Sequence, residues 1–192
     1  MQNNGGKREM TFLMYVRYII PSLLLNKDEK LKADLDRWKE ICEAHCSDWK
    51  GMAYLLWKYK EFRNLVAYRN RRHPIRRRLF QIFYPPMDTL YLDAFEIGGG
   101  LYIQHGFSTM IAAKSIGENC WINQQVTIGY KGKSDPPVIG NNTMITCGAK
   151  ILGSIHVGNN VVVGANAVVV HDVPDNCVVG GVPAQIIKTK DA

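Results

Sequence analysis

The stretch VIGNNTMITCGAKILGSIHVGNNVVVGANAVVV, residues 138–170, carries an aliphatic residue at every sixth position: Ile139, Ile145, Ile151, Val157, Val163 and Val169. A period of six suits neither a long helix, which repeats near 3.6, nor a hairpin sheet, which repeats at two. It suits a chain that turns a corner every six residues, so that three short strands and three corners close a triangular coil of eighteen residues. The aliphatic residue of each hexad then points into the prism. Successive coils stack as parallel strands about 4.8 Å apart.

The same step appears upstream at Met110, Ile116, Ile122 and Ile128, with Ile97 and Ile103 leading into it after one inserted residue. Glycine often follows the aliphatic residue, as at Gly98, Gly117, Gly129, Gly140, Gly158 and Gly164. The ladder breaks at GYKGKSDPPV, residues 129–138, which reads as a loop thrown out from a corner. Insertions of that kind commonly build a solenoid's binding face.

Ahead of the ladder the chain has a different period. KLKADLDRWKEICEAHCSDW and MAYLLWKYKEFRNLVAYRNRR repeat apolar residues at three and four, which predicts amphipathic helices over about residues 27–82. Pro74 interrupts that pattern, and Pro85 with Pro86 ends it. The expected class is therefore α+β: an α-helical domain over 1–86, a coil domain over 87–187 and a tail over 188–192.

Composition narrows the functional classes. The formal net charge of +7 is almost wholly accounted for by Arg69, Arg71, Arg72, Arg76, Arg77 and Arg78. No nucleic-acid motif accompanies this cluster, so it reads as a solvated joint between domains, with an anionic ligand as the alternative. The five cysteines form neither a disulfide framework nor zinc-type pairs, which points to a reducing cytoplasm. The apolar run 10–25 contains Arg17 and Pro21 and is short for a bilayer, so it reads as a packing helix. His156 and His171 lie in turns without convergent metal-ligand spacing, and no metal is expected.

One histidine stands out. His105, in IGGGLYIQHGFS, sits in a segment otherwise built from aliphatic, glycine and small polar residues. In order, the elements are a helical half, GLYIQHG, NQQVTIGYKGK, the ladder, and HDVPDNCVVGGVPAQII. They resemble the hexapeptide-repeat acyltransferases, whose coil is a left-handed parallel β-helix, and within them the serine acetyltransferase family. The likeness is strong over residues 88–188 and looser over YKEFRNLVAYR. It implies transfer of acetyl from acetyl-coenzyme A to a small-molecule acceptor, the hydroxyl of L-serine, in cysteine synthesis. It also implies a homotrimer, which in the family often pairs into a dimer of trimers.

The resemblance gives His105 the role of general base. The chemistry agrees, because a neutral hydroxyl is a poor nucleophile and a neutral imidazole accepts its proton near pH 7. A direct ternary-complex mechanism is expected, since no Ser or Cys stands in a nucleophile motif. Cys147 and Ala165, eighteen residues apart, match the small residues along which the family holds the coenzyme's pantetheine arm. Gly132, Lys133 and Lys188 would face its phosphates.

The pattern also departs from the family. The family's aspartate before the base is Gln104 here, Leu90 stands where the base's orienting acid aligns, and the loop with Asp135 lacks the second histidine. Asp88 and Asp93 are the replacement orienters, and Asp48 is the weak match to an aspartate that binds the serine amine. Gln104 and Asp135 complete the expected acceptor contacts. These losses leave two alternatives open: an O-acetyltransferase of sugars or polysaccharides, and a non-catalytic trimeric module.

Overall fold

The computed structural model describes residues 28–133 and 135–190. The apolar run 10–25, read above as a packing helix, lies outside the described residues. Four helices come first: α1 (Glu29–Ile41), α2 (Asp48–Lys58), α3 (Lys60–Arg69) and α4 (Pro74–Phe83). Asp28 caps α1 by accepting from the Leu31 N–H at 2.8 Å. The helical pattern is interrupted ahead of Pro74, as the sequence suggested, and Pro74 opens α4 at a first-turn position where its missing N–H has no partner to lose.

From Leu90 onward the chain winds into a prism with three faces. The first sheet stacks Leu90–Leu92, Thr109–Ile111, Thr127–Gly129, Lys150–Leu152 and Val168–Val169, all parallel. The second stacks Glu96–Ile97, Ser115–Ile116, Val138–Ile139 and His156–Val157. The third runs from Tyr102–Ile103 through Trp121–Ile122, Met144–Ile145 and Val162–Val163 to Cys177–Gly181, and Ala184–Thr189 closes it antiparallel. Inside each face an aliphatic column is buried, as in Ile103, Ile122, Ile145, Val163 and Val179.

Corners need left-handed backbone, which asparagine tolerates better than most residues. Asn119, Asn142, Asn160 and Asn176 supply it in one column with φ between 53° and 57°. Gly98, Gly117, Gly140 and Gly158 meet the next coil so closely that no Cβ fits: one on Gly140 would lie 2.6 Å from the carbonyl carbon of Gly158.

One place departs from the six-step expectation. Met110 is exposed, and Ile111 takes the inward position opposite Ile128. The corner after Ile103 is two residues longer than its successors, and it is the corner that carries His105.

The helices seal the open end of the first coil, whose edge would otherwise leave backbone groups unpaired. Asp34 and Arg69, both buried, form the plug. Arg69 donates to both Asp34 oxygens at 2.7 and 3.0 Å, and to the carbonyls of Ile97 and Gly98 at 2.6 Å each. Asp34 accepts from the N–H groups of Gly100 and Leu101. Trp38 donates its indole N–H to the Leu101 carbonyl, and Tyr68 bonds the Ala94 carbonyl. Arg69 is thus not part of a solvated joint: it is 6% exposed, while Arg72, Arg76, Arg77 and Arg78 remain exposed.

Candidate active site

His105 stands at the corner between the third and first faces, on a left-handed backbone with φ of 53°, its side chain exposed. Gly106 makes this corner possible. A Cβ there would meet Leu90 Cδ2 at 2.9 Å, Ile103 Cγ2 at 3.0 Å and Glu61 Cγ at 3.2 Å. The Gly106 N–H donates to Glu61 Oε1 at 3.3 Å, so α3 grips the peptide that follows the imidazole. No side-chain partner holds the imidazole itself among the described residues.

The wall beside the corner is aromatic and amide. Tyr102 packs tilted against Trp38, with centroids 4.6 Å apart, and edge-on against Trp121 at 4.7 Å. Burial, with Cys42 and Glu61 nearby, pushes the Tyr102 phenol up to about 12. Gln104 Oε1 accepts from the Trp121 indole N–H and from Asn123 Nδ2, each at 3.3 Å. On the next coil of the same edge comes Gln124, directly above Phe107: the Gln125 N–H donates to the Phe107 carbonyl just as the Gly148 N–H donates to that of Gln124. Asn123 Oδ1 and Gln124 Oε1 are buried oxygens with no donor.

Above Gln124 the same corner column continues with Cys147 and Ala165, half-buried and exposed. At coil spacing they lie about 10 and 14 Å above Phe107, two residues along the same corner from His105. The corner of the expected base and the column of the expected pantetheine residues thus share one edge of the prism.

The other expected residues lie elsewhere on the chain. Gly132, in the left-handed region with φ of 64°, Lys133 and Asp135 belong to the loop between the first and second faces, a different corner from that of His105. Lys188 is exposed on the final antiparallel strand. Asp93 also sits at the corner between the first and second faces, and Asp88 precedes the first strand. Both line a cleft of about 480 Å³ with Asn64, Arg71 and Arg77 that does not include His105. Asp48 opens α2, exposed, and pairs with Lys39 at 2.8 Å, an interaction that holds its carboxyl below the ordinary range. No group of three or more His, Cys, Asp or Glu able to hold a metal occurs among the described residues.

Glu61, Asn123 and Gln124 were not singled out by the sequence. Nothing local in YKEFRNLVAYR marks Glu61, because its contact spans 45 residues.

The family model for bacterial transferase hexapeptide, six repeats, matches residues 136–171. A serine acetyltransferase of Synechococcus elongatus is 42% identical over 96 residues, covering 48% of this chain and 39% of that protein. One from Staphylococcus epidermidis is 39% identical over 127 residues, covering 63% and 59%. The chain thus spans less than two thirds of these relatives' length. Among solved structures, the serine acetyltransferase of Brucella abortus in complex with coenzyme A superposes with a TM-score of 0.66 at 23% identity, covering 96% of this chain and 85% of that one. That of Neisseria gonorrhoeae gives 0.63 at 25% identity, covering 96% and 85%. Repeats, sequence relatives and superposition agree, and the chain is a hexapeptide-repeat protein with the serine acetyltransferase fold.

Proposed function

We propose that this chain is an acetyl-coenzyme A-dependent O-acetyltransferase whose acceptor is the hydroxyl of L-serine. The observation that carries the proposal is that an exposed imidazole and a column of small residues share one edge of the prism. An extended pantetheine arm can run along such an edge. The relatives named above act as serine acetyltransferases, and one solved neighbour holds coenzyme A.

In this reading His105 takes the serine proton as the hydroxyl oxygen attacks the thioester carbonyl. The new C–O bond gives a tetrahedral oxyanion, which backbone N–H groups stabilise. Collapse breaks the C–S bond, and the imidazolium returns its proton to the departing thiolate. Gly132, Lys133 and Lys188 hold the coenzyme's phosphates, and Cys147 and Ala165 flank its arm. Because the loop of Gly132 lies on another corner, a neighbouring copy in a homotrimer would bring it to the arm. Asp88 and Asp93 stay as candidate orienters of the base, and Asp48, Gln104 and Asp135 as acceptor-side contacts, all to be tested in that assembly. The compartment consistent with a coenzyme A substrate and free cysteines is the cytoplasm; among the described residues no helix is long and apolar enough to cross a membrane.

A sugar acceptor is the second reading. Gln104 offers a neutral amide already bonded to Trp121 and Asn123, Asp48 is paired with Lys39, and the loop carries no histidine. A coenzyme-release assay across serine, homoserine and simple sugars separates them. Serine as the best substrate by tenfold or more supports the first reading, sugar-only turnover replaces it with the second, and no release with any acceptor removes both.

A further inference from the structure

With Arg69 committed to the plug, the rest of the arginine cluster is left without a task. Arg76, Arg77 and Arg78 stand near the start of α4, a helix with no acidic residue in its first turn and only Phe80 buried. Cations at a helix N-terminus oppose the helix dipole, so these three do not stabilise α4 itself. None of Arg72, Arg76, Arg77 and Arg78 forms an ion pair among the described residues. The apolar residues of the same helix also face outward. Ile75 is 77% exposed and Ile82 68%, and Leu79 and Phe83 are exposed as well. At about 100° per residue these four share an arc of about 100° on one side of α4. Arg78 borders that arc on one edge and Arg76 on the other, while Arg77 and Gln81 turn to the cleft against the first strand. A surface helix ordinarily buries such a stripe against its own domain; α4 presents it to the outside between two arginines.

We propose that α4 is an interfacial helix that lies on an anionic lipid bilayer. Ile75, Leu79, Ile82 and Phe83 enter the boundary between headgroups and acyl chains, and Arg76 and Arg78 reach the lipid phosphates from either side. Arginine stems pack along apolar surface while their guanidinium heads stay at the polar level, which suits an apolar stripe edged by arginine. Ten residues are too few to cross a bilayer, which takes about 20, so the helix lies in the plane of the surface. Charge and apolar exposure together favour lipid over other occupants. A soluble polyanion would pair with the arginines and leave four apolar side chains in water. A second copy packed face to face would bring the same arginines against one another. The surface shares no residue with the proposed acyl-transfer site, so it stands or falls independently of that reading.

The test is flotation of the full chain with vesicles of phosphatidylcholine alone and of phosphatidylcholine mixed with phosphatidylglycerol, in wild type, Ile75→Ser/Ile82→Ser and Arg76→Gln/Arg78→Gln. All four positions are exposed, and a thermal melt reports whether each variant remains folded. Wild type is expected to bind the mixed vesicles at least about tenfold more tightly than the neutral ones, and less tightly as salt is raised. The arginine pair should lose about 25-fold, at about fivefold for each arginine near an anionic surface. The isoleucine pair should lose about tenfold on the same vesicles although its charge is unchanged. No binding to the mixed vesicles, equal binding to both kinds, or undiminished binding by Ile75→Ser/Ile82→Ser overturns the interfacial helix. Wild type that ignores vesicles but loses self-association in Ile75→Ser/Ile82→Ser assigns the face to a second copy, and arginine-dependent binding of RNA with none of vesicles assigns it to a polyanion.

Discussion

Replacing Arg69 with methionine tests how the helices hold the coil. The guanidinium makes four hydrogen bonds, two to Asp34 and one each to the carbonyls of Ile97 and Gly98. Asp34 has no exposed surface. Without Arg69 a buried carboxylate loses its counter-charge, a change that costs about 3–5 kcal/mol. The N–H groups of Gly100 and Leu101 still bond Asp34, which argues for the lower end of that range. Two orphaned carbonyls add about 1 kcal/mol each. The total, about 5 kcal/mol, corresponds to a melting-point fall of about 10–20 °C for a domain of this size. Arg72→Met, an exposed neighbour, is the control and should stay within about 0.5 kcal/mol. Circular dichroism melts and urea titrations read both. An Arg69→Met variant within about 1 kcal/mol of wild type would refute the plug, and so would a double variant with Asp34→Asn whose cost is simply additive.

Three further outcomes follow from the same coordinates. Gly140→Ala, with its Cβ forced against the Gly158 backbone, should destabilise the coil by about 2–3 kcal/mol in a urea titration, and a neutral effect would mean the coils can part there. Alkylation followed by mass spectrometry should label half-buried Cys147 and spare Cys120, which is fully buried and whose thiol burial pushes up to about 11; coenzyme A should slow labelling at Cys147 but not at Cys46, and equal slowing or none would move the pantetheine arm elsewhere. Light scattering should give a trimer or a multiple of it, whereas a stable monomer would leave the Cys147 edge without a second wall.

The six-step ladder was legible because each inward residue answers to one periodic constraint, as the buried column from Ile103 to Val179 demonstrates. Its register slipped at Met110, since a longer corner alters which residue turns inward without altering composition; Ile111 is inside instead. Helical spacing identified the N-terminal elements, and the interruption read at Pro74 is there, with Pro74 itself opening the next helix, because proline disfavours a helix interior and suits a first turn. Long-range pairs left no local trace. Arg69 looked like one more member of a basic run, yet its partner Asp34 lies 35 residues away, and Glu61 reaches Gly106 across 45. Of the proposed site, Cys147 and Ala165 could be placed one coil apart by counting, whereas His105 could not, because its corner holds two extra residues, nor could the carboxylates Asp88 and Asp93, whose direction is set by the helices packed against the first coil.

The most direct measurement is the turnover of His105→Ala and His105→Asn with serine and acetyl-coenzyme A, alongside the affinity of each variant for coenzyme A. The account predicts a fall in kcat of about 10²- to 10⁴-fold, or about 3–5 kcal/mol of transition-state stabilisation, with coenzyme affinity unchanged. Turnover equal to wild type in either variant would contradict it.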